Sequence, residues 1–135
     1  MSSILNTCPR MPYSVYKLMH FLGIFMLITA LAVTSMHVLR GGSRTDNPYR
    51  RILGITHGVA VLLILTGGFG MLARLDVMQG GLPNWIYAKL VIWVALAAAL
   101  VVPYRGPGYA RALLIVVPLL AVVGGAVALY KPFGG

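Results

Sequence analysis

The chain has 135 residues, of which 59% are hydrophobic and 10% charged, with a formal charge of +9. A water-soluble domain of this composition would have almost nothing polar to cover its surface, so the solvent for most of the chain is lipid. The basic residues are spread over several separated apolar boundaries instead of being gathered on one recognition face, which excludes nucleic acid and points to anionic lipid headgroups.

At the N-terminus, Cys8 in Leu5-Asn6-Thr7-Cys8 resembles a lipoprotein box, but no hydrophobic stretch precedes it. A lone thiol forms no internal disulfide, so it says nothing about compartment. The first apolar run, from about Tyr13 to Val38, has the length of a full span and lacks a small-residue cleavage site, so it is read as a retained helix. Three more follow, from about Arg51 to Ala73, Asn84 to Val102 and Ala110 to Tyr130. Each approaches the roughly 20 helical residues that cross a hydrocarbon core of about 30 Å. Unbroken runs such as Gly54 to Ala73 lack the alternation of a barrel strand, and the spans are therefore predicted as helices.

The connections carry Gly41, Gly42 and Pro48, then Gly80, Gly81 and Pro83, then Pro103, Gly106, Pro107 and Gly108. Loops this short return each helix beside its predecessor. The expected architecture is a single-domain, all-α, integral membrane four-helix bundle running up-down-up-down. Arg40, Arg44, Arg50, Arg51, Arg105 and Arg111 flank the first and third connections, against Arg10, Lys17, Arg74 and Lys131 on the other side. The positive-inside rule then puts both termini in the periplasm of a bacterial inner membrane. Tyr13, Tyr16, Trp85, Tyr104, Tyr109 and Tyr130 fall near predicted boundaries and read as interfacial anchors.

Within the spans, Lys89 is the sharpest anomaly, since a lysine inside a span costs a few kcal/mol even on the forgiving insertion scales. It either snorkels toward the headgroups near Trp85 or faces the bundle, flanked at helical spacing by Trp85 and Trp93. Counting inward from the same side, His20 on the first helix reaches a similar depth, so His20 and Lys89 are candidates for one site. His20 or His57 is the candidate axial ligand for a haem or chlorin metal, and each is equally able to hydrogen-bond a neighbouring helix. At helical rise the two are about 15 to 20 Å apart along the membrane normal, too far to share one iron. His37 is closer in depth to His57 but lies beside Arg40, as an interfacial residue does.

Close helix contact in lipid depends on small residues, which makes Gly54, Gly58, Gly67 and Gly68 on the second helix, with Gly70 beside them, and Gly124 and Gly125 on the fourth, with Ala128, the predicted packing positions. They either close the bundle or leave a smooth face for a partner. Pro118 is expected to kink the fourth helix.

The order of His20, the Arg-rich first loop, His57, Thr66-Gly67-Gly68, Pro83-Asn84-Trp85 and Ala88-Lys89-Leu90 resembles the SirB family of small four-helix membrane proteins. More distantly it is similar to the HemJ-type protoporphyrinogen oxidases. The second resemblance implies haem association, with His20 matching the first-helix histidine and Lys89 the lysine of the Trp-x-x-x-Lys pattern. The residues carry no acid pair for catalysis, Asp46 and Asp76 being loop residues, and no phosphate loop or nucleophile elbow. The leading functional expectation is thus a non-catalytic subunit that packs against other membrane proteins in a redox or energy-transducing complex. The competing one is a protein associated with haem b or another tetrapyrrole, held by His20, His57 or Lys89.

Overall fold

The computed structural model describes residues 10–132, and Cys8 lies outside the described residues. Four helices are long and apolar enough to cross a membrane. They are α1 (Tyr13–Leu39), α2 (Arg50–Leu75), α3 (Asn84–Ala98), which reaches span length with the 3₁₀ turn Ala99–Val101 that continues it, and α4 (Pro107–Tyr130), preceded by a second 3₁₀ turn, Pro103–Arg105. The all-α membrane bundle expected from the apolar runs is what the chain forms. The third span is shorter in α-helix than expected: Pro103 has no N–H to give the Ala99 carbonyl, which accepts instead from the Val102 amide at 3.1 Å in a 3₁₀ turn, while Val102 itself keeps right-handed helical angles.

Helices adjacent in sequence are adjacent around the ring, and α4 closes back on α1. Contact is far from even, however. The α1–α2 interface is the most extensive, α1 also packs on α4, and α2 touches α3 only sparsely. The buried positions of α1 are Gly23, Leu27, Ala30, Leu31, Thr34, Ser35 and Val38, spaced by three and four residues along one stripe. Several are small, so backbones approach: a Cβ on Gly23 would stand 2.8 Å from the Ala60 carbonyl oxygen. In contrast, α4 is the most apolar helix and the least buried, because in a bilayer an apolar side chain gains nothing by leaving the lipid. Pro118 lies on its exposed side, and the helix continues through it from Pro107 to Tyr130.

At the end where α1 finishes and α2 starts, called here the loop-1 end, His37 organises the connection. Its Nε2 lies 2.9 Å from both the Asp46 carboxylate and the Ser43 carbonyl oxygen, and the Ser43 amide also donates to Asp46 at 2.6 Å. The His37 ring covers Gly42, where any Cβ would collide with it. Asn47 Nδ2 donates to the Tyr104 hydroxyl at 2.9 Å, tying the first connection to the third. Those two connections share one end of the bundle, as an up-down topology requires.

Candidate functional site

From the middle of the bundle toward the opposite end, where both described termini and the second connection lie, the four helices line an apolar cavity of about 500 Å³. A second lobe of about 200 Å³ extends between α2 and α3. Tyr13, His20, Ile64, Met71, Lys89 and Trp93 line both lobes. The two polar residues singled out by depth therefore meet at one place, with Lys89 on the inner wall of the bundle.

The geometry around His20 follows from glycine. A Cβ on Gly67 would come within 2.7 Å of the His20 amide nitrogen and the Tyr16 carbonyl oxygen, so only glycine lets α1 press this closely onto α2. At Gly68, also expected to pack, a Cβ would only touch the imidazole, 3.6 Å from Nδ1, so glycine is not required beside the ring. Thus seated, His20 Nδ1 lies 2.7 Å from the Ile64 carbonyl oxygen. A carbonyl only accepts, so Nδ1 carries the proton and Nε2 of the neutral ring keeps its lone pair. This is the second-neighbour arrangement that orients a histidine as a metal ligand or proton acceptor.

Lys89 brings a positive charge to the same apolar space, and Lys17 lines the larger lobe while Lys131 lines the smaller. Among the described residues no carboxylate lines either lobe. The whole chain has only two acidic side chains, and the one ion pair among the described residues is His37 with Asp46 at the far end. The cavity is therefore apolar in its walls and cationic at its polar points, which selects for an amphipathic, anionic guest.

His57 stands apart from this site. It is 5% exposed, and its Nε2 donates to the Leu96 carbonyl oxygen at 3.1 Å. Gly68, beside the His20 ring, is about 16 Å further along α2 at helical rise. Trp93 Nε1 donates in the other direction, to the Val61 carbonyl oxygen at 3.1 Å. The sparse α2–α3 seam is thus stapled by two reciprocal side-chain bonds, each using the second lone pair of a helical carbonyl.

Some expected roles change. Gly54, Gly58, Gly124 and Gly125 close no helix contact within the chain, since a Cβ at each meets open space, and Gly124 and Gly125 line the cavity instead. Glycine permits close approach only where a partner backbone is present. The close contacts are made by Gly67 and by Gly70, which lies under the Tyr16 ring, both among the small residues expected on α2, and by Gly23, which that expectation did not include. The stripe of small residues at helical spacing through Gly23, Ala30 and Thr34 was the available signal. Trp85 is no wet interfacial anchor either: it is 6% exposed, packed with Leu72 and Ile86, with the Lys131 ammonium 5.8 Å above its ring.

With this geometry described, the comparisons add one finding: no protein-family profile, curated protein or solved structure matches the chain.

Proposed function

We propose that the chain binds a tetrapyrrole, with haem b the leading candidate, in the cavity between its four helices. The observation that carries this reading is the pairing of His20 and Lys89 on one apolar cavity, with His20 Nδ1 engaged by Ile64 and no carboxylate to answer the lysine. The residues suit the group. His20 Nε2 would be the donor for a central metal, Lys89 would pair with a peripheral carboxylate, and Ile64, Met71 and Trp93 would offer apolar walls to the macrocycle. A bound haem would supply a one-electron iron centre. The protein's own contribution is to fix the imidazole tautomer, offset a ligand carboxylate and keep bulk water from the ring. The similarity to HemJ-type proteins, resting on His20 and Lys89, supports the same two residues. The excess of arginine at the loop-1 end supports an inner-membrane orientation with periplasmic termini.

A visible spectrum of the protein purified in mild detergent after haem supplementation tests the reading. A Soret band that is lost in His20→Ala and kept in His57→Phe is the expected result. A colourless wild type, or a band indifferent to His20→Ala, would refute it.

A second reading, a subunit packed against other membrane proteins, draws support from the open positions of Gly54 and Gly58 on α2. Bulky residues at both positions would then release co-purifying subunits while leaving the isolated chain folded.

A further inference from the structure

At the loop-1 end, about 20 Å from His20 along α1 at helical rise, a smaller recess of about 270 Å³ lies between the ends of α1 and α3 and the start of α2. Its polar wall is formed by Arg44, Arg50 and Tyr104, its apolar wall by Leu53, Leu100 and Val101, and Thr34, whose hydroxyl donates to the Ala30 carbonyl oxygen at 2.8 Å, completes the lining. Three observations define what it accepts. First, the arginines have no carboxylate. Asp46, the one acidic side chain at this end, is held by His37 Nε2 and the Ser43 amide, and Asp76 caps α2 at the other end. Among the described residues neither arginine forms an ion pair. Second, the Tyr104 hydroxyl accepts from Asn47 Nδ2, which leaves its own proton to be donated. Third, the apolar wall belongs to the membrane-spanning part of the bundle, where Leu53 is buried.

Two guanidinium groups and a phenolic O–H lining one recess without a counter-charge match the oxygens of a phosphate group. A free phosphate has no use for the leucine and valine wall, whereas a glycerophospholipid places its phosphate at the headgroup level and its acyl chains along such a surface. We propose that this recess is a specific site for one anionic phospholipid, its phosphodiester held by Arg44, Arg50 and the Tyr104 hydroxyl. Arg51, next in sequence to Arg50 and exposed as Arg44 and Arg50 are, does not line the recess and serves as the internal control.

The test uses the full chain in a neutral detergent, titrated with dioctanoyl phosphatidylglycerol, dioctanoyl phosphatidylcholine or inorganic phosphate, with occupancy read by native mass spectrometry. One phosphatidylglycerol should bind per chain and saturate, and Arg44→Gln and Arg50→Gln should each weaken it about tenfold, the loss expected of one charge-assisted contact. Arg51→Gln should stay within about twofold, as a screened surface charge does, and Arg50→Lys should fall between. Equal losses in all three glutamine variants would show diffuse surface attraction and overturn the site. Phosphatidylcholine binding as tightly, inorganic phosphate displacing the lipid at equal concentration, or no saturable binding would each overturn it as well.

Discussion

The two halves of this bundle use lipid in opposite ways. Along α1 and α2, Gly23, Gly67 and Gly70 bring backbones and rings into contact, and the interface is closed by small residues. Along α3 and α4, Gly124 and Gly125 face a cavity, few residues are buried, and the seam to α2 is held by the His57 and Trp93 bonds. The same residue type does different work in each half. A tight pair provides a rigid wall that presents His20, and a loose pair leaves the space that His20 and Lys89 look into. With little hydrophobic drive between helices in a bilayer, a bundle is not forced to collapse onto a void as a soluble core would be.

The sharpest way to break this contrast is to substitute the two kinds of glycine identically. Gly67→Leu should destabilise the protein by about 3 kcal/mol through overpacking against the α1 backbone, seen as a lower midpoint in detergent unfolding. Gly124→Leu should leave that midpoint unchanged or raise it slightly, since glycine costs a helix about 1 kcal/mol, yet it should fill the cavity and abolish haem uptake. If both behaved alike, the division between halves would be wrong.

Lys89→Met should act with the opposite sign on the ligand-free protein. Removing an uncompensated ammonium from the span should stabilise it by about 2 kcal/mol, while haem affinity falls. Unchanged stability would mean the ammonium already finds compensation.

The staples come next. His57→Leu leaves the Leu96 carbonyl without its second bond and should cost about 1 kcal/mol, and Trp93→Phe about 0.6 kcal/mol, typical of interhelical bonds in membranes. Faster hydrogen exchange confined to α3 would localise the effect to the seam.

The smallest effect belongs to the loop-1 end. The His37 hydrogen bond, followed by that of the Ser43 amide, holds the Asp46 carboxyl below its ordinary range. A depressed acid stabilises the fold above its unfolded pKa of about 3.9, and that contribution is lost as pH falls through the lower folded value. Ser43 amide protection should therefore persist at neutral pH, disappear in acid, and be absent at neutral pH in Asp46→Asn.

How much of this was legible in the chain depends on which interaction set it. Four helices followed from composition and run length alone, because in hydrocarbon every backbone group must be satisfied within the span, and that constraint is local. The convergence of His20 and Lys89 was also legible, since depth follows from helical rise and both lie a few residues in from the same end. The roles of the glycines were not: Gly67 and Gly124 look alike in sequence, and only the position of a neighbouring backbone tells contact from cavity. Nor could spacing assign His57 to Leu96, Trp93 to Val61, or the burial of Trp85 beneath Lys131. Rotation of each helix about its axis decided these, and rotation is set by packing between segments distant in sequence, to which an apolar run in an apolar solvent offers almost no guide.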